Sequence, residues 1–221
     1  MQAMSSAGPA LQTDPRVAAL MASLSFDDGQ PLGKSNQGEV RRFTREDLDL
    51  AIKTPSGRGL SRWARRKTLE REHAAYCRLA GLPGLAHCHG LFERRFLVLD
   101  FVTGRPMRKA EIGDRDRFFA RLLETIQAMH ARGVAHGDLK RKDNLLVATD
   151  ETPVILDLGA AVVEKRGRHP VNRRLFRFMC QTDLNAWVKL KYGGYTGIAR
   201  HDQAYLHRSR LERLLTRLRR P

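Results

Sequence analysis

His136-Gly137-Asp138-Leu139-Lys140-Arg141-Lys142-Asp143-Asn144-Leu145-Leu146-Val147, followed by Ile155-Leu156-Asp157-Leu158-Gly159-Ala160-Ala161, is the stretch that decides how this chain is read. Asp138 comes directly after a strand-like Val134-Ala135-His136. Lys140, two residues on, can reach a phosphoryl group in transfer, and the amide oxygen of Asn144 can hold a metal. Asp157 ends an apolar run and precedes Leu-Gly, so it stands at a strand end with a flexible turn behind it. Two oxygen ligands on separate loops form a hard-cation site of the kind Mg²⁺ favours, completed by nucleotide phosphates.

Working outward, PLGKSNQGEVRRF (31–43) reads as strand, turn and strand, with Gly33 and Gly38 in the turn. LDLAIK (48–53) is an alternating strand. Residues 60–80 place Trp63, Leu69, Tyr76 and Leu79 at roughly helical spacing, and Gly81 and Pro83 stop that helix. Two strands follow within 88–102. Asp114 then caps a long amphipathic helix with Phe119, Leu122, Leu123, Ile126 and Met129 on one face, ended by Gly133. Short strands at 145–148 and 153–158 and helices at 183–192 and 203–220 complete the pattern. A strand-rich first third and a helical remainder predict an α+β chain of two lobes, divided near 103–106: a flexible leader (1–28) with room for a short helix at 16–24, an N-lobe (29–104) and a C-lobe (105–221) with a basic C-terminal helix.

The set of motifs resembles that of protein-kinase-like phosphotransferases, from Leu32 to Asp183. The resemblance implies a bilobal fold with a small β-rich N-lobe and a reduced helical C-lobe lacking a full activation segment. It also implies ATP and Mg²⁺ as cofactors. Gly33-Lys34-Ser35-Asn36-Gln37-Gly38-Glu39-Val40 matches the family's glycine loop with Ser35 at the middle glycine. Leu50-Ala51-Ile52-Lys53 matches its VAIK strand, which implies that Lys53 meets the α/β-phosphates. Glu72 is the implied partner of Lys53, with apolar Tyr76 and Leu79 at +4 and +7, and Glu70 is the alternative. Asp100-Phe101-Val102 falls where the family offers backbone groups to adenine. Gly33, Gly38, Val40, Ala51, Lys53, Glu72, Asp100 and Val102 are therefore the implied nucleotide-binding residues. Asp138 would take or orient the proton of the attacking hydroxyl, Lys140 would neutralise the γ-phosphate, and Asn144 and Asp157 would hold Mg²⁺. Asp183 resembles the buried acid that anchors the catalytic loop from below.

Several residues depart from the family pattern. The metal Asn usually lies five residues after the catalytic Asp, but here that position is Asp143 and Asn144 comes next, so either side chain can be the ligand. Gly137 replaces the Arg that reads an activation-loop phosphate, which argues against switching by phosphorylation there. No APE motif is present, and only 160–182 separate the DLG turn from Asp183. With the peptide platform so reduced, the chain is more similar to lipopolysaccharide-core sugar kinases and RIO-type kinases. The leading expectation is phosphoryl transfer to a sugar hydroxyl of a lipopolysaccharide-type core. A RIO-like serine/threonine protein kinase is the alternative, and a non-catalytic ATP-binding pseudokinase scaffold a further one.

Charge narrows the partners. The chain of 221 residues carries a net +16, with thirteen basic against four acidic side chains in 51–110 and fifteen against four in 161–221. Basic blocks favour a polyanionic acceptor, such as a phosphorylated glycolipid or a protein. GRHPVNRRLFRF (167–178) would either hold such an acceptor or form a basic loop packing Leu175 and Phe178 inward. In the C-terminal helix, Leu211, Leu214, Leu215 and Leu218 among arginines allow contact with an anionic membrane surface. His87 and His89 share one strand face and Cys88 the other, without metal-site spacing. Aromatics at 7% are too sparse for a stacking platform, so no specific nucleic-acid binding is expected. Three cysteines without framework spacing and no secretory signal point to the cytoplasm, with a peripheral position on the inner membrane face as an extension.

Overall fold

The structure, a computed structural model, describes residues 14–35 and 38–207. The upper lobe is a five-stranded antiparallel sheet in the order β1-β2-β3-β5-β4, built from β1 (Gln30–Ser35), β2 (Gly38–Arg45), β3 (Leu48–Thr54), β4 (Cys88–Phe92) and β5 (Phe96–Asp100). Its two-residue side-chain period separates two environments. Leu50 and Ile52 join Phe43, Val98 and Val17 in a small core on one face. Ala51 and Lys53 point the other way, into a cleft beneath the sheet.

Val17 belongs to α1 (Pro15–Ser23), whose N-terminus is capped by the Asp14 side chain accepting from the Arg16 amide. α1 falls where a short helix was expected at 16–24 and packs on the sheet's outer face; residues 1–13 of the expected leader lie outside the described residues. The Ala-rich composition of α1 hid that packing, because Val17 alone is fully buried while Leu20 and Met21 are partly so.

α2 (Gly59–Arg78) crosses the inner side of the sheet and buries Leu69, Glu72, Ala75 and Tyr76. Trp63 does not join that face and is 62% exposed. β6 (Gly104–Pro106) pairs with β8 (Leu145–Ala148), which pairs with β9 (Pro153–Ile155), so the chain has entered the lower lobe by Gly104. α3 (Arg115–Ala131) is capped by Asp114, whose side chain accepts from the Arg117 amide, and buries Phe118, Phe119, Leu122, Ile126 and Met129. β7 (Val134–Ala135) pairs with β10 (Val162–Val163). α4 (Pro170–Tyr192) crosses beneath, with Trp187 donating from Nε1 to the Phe119 carbonyl at 2.8 Å.

Three expected elements differ from the described structure. The helix expected over 183–192 begins at Pro170, so 167–178 is mostly helix, not a loop. Proline at the first helical position is pre-set for the helical φ and has no amide to leave unpaired. Phe176 is the buried aromatic of this stretch, while Leu175 and Phe178 stay exposed. The strand expected over 153–158 ends at Ile155, because Asp157 takes a left-handed backbone (φ 58°). Only a 3-10 turn, Asp202–Tyr205, is seen of the helix expected over 203–220, and its leucine stripe lies outside the described residues. Among the described residues no helix is long and apolar enough to cross a membrane.

Candidate nucleotide and phosphoryl-transfer site

Between the lobes lies a cleft of ≈ 430 Å³. Val40, Ala51, Leu99, Asp100 and Val102 line it from the sheet side, and Asn144, Leu146, Leu156 and Asp157 from below. Gly33 borders it on β1, where a β-carbon would meet open space. Gly38 is constrained differently: a β-carbon there would come within 2.2 Å of the Thr54 carbonyl oxygen, so only glycine permits this approach of β2 to β3.

Lys53 stands opposite Val40 in the β2–β3 register. Its Nζ lies 2.7 Å from Glu72 Oε2 and 2.9 Å from Asp157 Oδ1, which joins β3, α2 and the turn after β9. Burial would lower the Lys53 pKa, but the two carboxylates outweigh it and hold the ammonium above its ordinary range. Asp157 shows the complementary balance: burial pushes its carboxyl up, Lys53 pulls harder, and the net direction is down. Full burial pushes the Glu72 carboxyl up against the pull of Lys53. Glu70, the alternative partner, turns outward to Lys67 and Arg94 at 2.8 Å each.

The loop after β7 is tied from three sides. Asp183, 1% exposed on α4, accepts from the backbone amides of His136 at 2.7 Å and Gly137 at 2.9 Å, with His130 Nε2 at 3.1 Å. The His136 ring accepts at Nδ1 from the Asp138 amide, which makes Nε2 the protonated nitrogen donating to the Leu156 carbonyl at 2.9 Å. That ring therefore couples the Asp138 loop to the residue before Asp157. Gly137 has φ +80°, and a β-carbon on it would lie 2.9 Å from the Ala160 carbonyl oxygen. A side chain at this position would be strained on that backbone.

Asn144 is buried in a 3-10 turn, and its Nδ2 donates to the Asp138 carbonyl at 3.0 Å and approaches the Asp138 carboxylate at 3.4 Å. Asp143 leans outward to Arg108 at 3.3 Å while still bordering the cleft. Lys140 is exposed on the turn that follows Leu139. Asp100 binds His89 Nε2 through its carboxylate at 2.7 Å, and the Phe101 amide donates to Asp49. The structure thus gathers Lys53, Glu72, Asn144 and Asp157 around one cleft, with Asp138 joined to it through Asn144, while Lys140 does not line it. Leu146, Leu156 and Tyr76 also line it and were not among the expected site residues. The Leu-Leu-Val run after Asn144 was a signal for the first of them.

This sheet order over a cleft, with an acid-anchored loop below, defines a protein-kinase-like fold. No protein-family model matches the chain. Among curated proteins it is similar to CBL-interacting protein kinase 8 of Oryza sativa subsp. japonica, 24% identical over 185 residues that cover 78% of this chain and 40% of that protein. It is also similar to calcium/calmodulin-dependent protein kinase type II of Caenorhabditis briggsae, 31% identical over 137 residues (57% and 25%). A third similar protein is the serine/threonine-protein kinase cds1 of Schizosaccharomyces pombe, 33% identical over 91 residues (37% and 20%). The chain spans two fifths or less of the length of these three relatives. All three are named as protein kinases, so similarity supports a kinase; it does not support the expected lipopolysaccharide-sugar acceptor, and the protein-kinase alternative fits better.

Proposed function

We propose that this chain transfers the γ-phosphoryl group of ATP to a hydroxyl, and that the acceptor is a serine or threonine of a protein. The observation that carries this reading is the Glu72–Lys53–Asp157 ion triad facing Asn144, itself bonded to Asp138. The purine would lie between Val40 and Ala51 above and Leu146 below, edged by the Asp100–Val102 backbone. Lys53 would meet the α/β-phosphates beneath Gly33 and Gly38. Asp138 receives the proton of the acceptor hydroxyl as its oxygen bonds the γ-phosphorus and the bond to the ADP oxygen breaks. Lys140 extends from the same loop as a counter-charge to the γ-phosphate.

The donor set suits Mg²⁺. The Asn144 amide nitrogen is committed to Asp138, which leaves its oxygen as the outward end, and Asp157 adds an anionic oxygen from the second loop. When bound, the ion neutralises phosphate charge. The outward lean of Asp143 toward Arg108 supports Asn144 as the ligand.

A sugar hydroxyl remains the second reading, favoured by one feature: residues 158–169 are all that separate Asp157 from α4. Labelled γ-phosphate transferred from Mg-ATP into fractionated cell extract decides between them, with Asp138→Ala as control. Phosphoserine or phosphothreonine in the hydrolysate supports the proposal. Protease-resistant label in a lipid-linked glycan fraction overturns it in favour of the sugar reading.

A further inference from the structure

α4 presents two faces. Phe176, Asp183 and Trp187 are buried, and Met179 lies beside Gly137, so one face carries the catalytic loop. Asn172 fixes the start of the helix, accepting from the Lys165 amide at 2.6 Å and donating to the Val163 carbonyl at 3.1 Å. On another face Val171, Leu175 and Phe178 are 82%, 44% and 59% exposed. Their i, i+4, i+7 spacing makes a continuous apolar stripe about 10 Å long. Three large apolar side chains in contiguous exposed positions are unusual on a free surface.

Charge near the stripe is predominantly positive. Residues 158–181 contain Lys165, Arg166, Arg168, Arg173, Arg174 and Arg177 against a single acid, Glu164. We infer that this stripe is the docking surface for an acidic, amphipathic segment of the protein acceptor, which sets apolar anchors on Val171, Leu175 and Phe178 and carboxylates against the flanking arginines. The inference rests on the protein-kinase reading above and supplies the recognition element that the short 158–169 connection leaves out. Phe178 adjoins Met179, which lies against the residue preceding Asp138, so a segment held here is beside the loop that receives its hydroxyl.

Other occupants fit less well. The chain's own residues 208–221 contain six arginines and one acid, so they match the stripe's apolar character and oppose its charge. An anionic bilayer matches the charge, but a 10 Å stripe beside a catalytic loop suits a segment that also delivers a hydroxyl to Asp138.

The test uses the full chain and a fluorescein-labelled synthetic helix bearing leucine at i, i+4 and i+7 flanked by glutamate, read by anisotropy, with its scrambled isomer as control. Wild type and Asp138→Ala bind it equally. Leu175→Ser and Phe178→Ser each weaken binding about tenfold or more, the loss typical of an interface anchor. The Arg174→Glu, Arg177→Glu pair weakens it and flattens its salt dependence. Melting temperatures stay at the wild-type value, since these side chains are exposed. Unchanged affinity in the stripe variants overturns the inference. So does Phe178-dependent sedimentation with phosphatidylglycerol vesicles in place of peptide binding, or peptide binding that begins only after deletion of 208–221. Peptide binding without phosphoryl transfer leaves the surface standing and removes the kinase reading. Transfer into casein that ignores Phe178 does the reverse.

Discussion

Replacing Asp183 by alanine removes the acceptor of two buried backbone amides, those of His136 and Gly137, and the partner of His130 Nε2. Asp183 is 1% exposed, so water does not readily replace the carboxylate. A buried donor left without an acceptor costs about 1–3 kcal/mol, and two such donors give about 2–6 kcal/mol. That is a large share of the roughly 5–15 kcal/mol by which domains are stable. With a denaturant slope near ~2 kcal/mol per M, the urea midpoint falls by about 1–3 M. Asp183→Asn keeps one oxygen and turns an amide donor toward the other backbone amide, so its loss is intermediate. The assay is urea denaturation followed by tryptophan fluorescence, with Trp187 one turn further along the same helix as reporter. A midpoint for Asp183→Ala within ~0.3 M of wild type refutes the claim that this carboxylate holds the loop, because the implied cost is then below ~1 kcal/mol.

The Asp157 carboxyl, held below its ordinary value although burial alone raises it, titrates upward in Lys53→Met, where burial acts without the opposing ammonium; carbon-13 NMR of the side chain reads this shift. Because its folded pKa is depressed, the stability it contributes is full above the ordinary Asp value. That contribution is lost as pH falls through the lower folded value, so wild type and Asp157→Asn converge in stability at acid pH. Gly137→Ala forces a β-carbon to within 2.9 Å of the Ala160 carbonyl at φ +80°, and thermal denaturation registers a loss of about 1–2 kcal/mol. Asn144→Ala raises the Mg²⁺ concentration needed for half-maximal turnover well beyond any rise caused by Asp143→Ala; the opposite order assigns the metal to Asp143.

Much of this arrangement could be read from motif spacing together with the family resemblance it carries. Glu72 was chosen over Glu70 because Tyr76 and Leu79 follow at helical intervals, and in the structure Leu69, Glu72 and Tyr76 share the buried face of α2. Asp183 was found through the family resemblance, as the acid expected to anchor the loop from below. The first half of α4 was missed because its arginines resemble a solvated loop, although Pro170 marked a helix start. Its apolar residues divide between two faces, Phe176 inward and Leu175 and Phe178 outward, so no single stripe announced a core-facing helix. The part of His136 was hidden for another reason. It depends on the Leu156 carbonyl, a backbone atom brought near only by the fold.

The central claim is that Asp138 acts on the acceptor hydroxyl in a cleft that holds nucleotide without it. Turnover of Mg-ATP into phosphorylated protein, measured beside nucleotide affinity in wild type and Asp138→Ala, tests it most directly. The account predicts turnover lower by about 10²–10⁴-fold, the range for a lost proton acceptor, with nucleotide affinity within a few-fold of wild type. Near wild-type turnover in Asp138→Ala would contradict it.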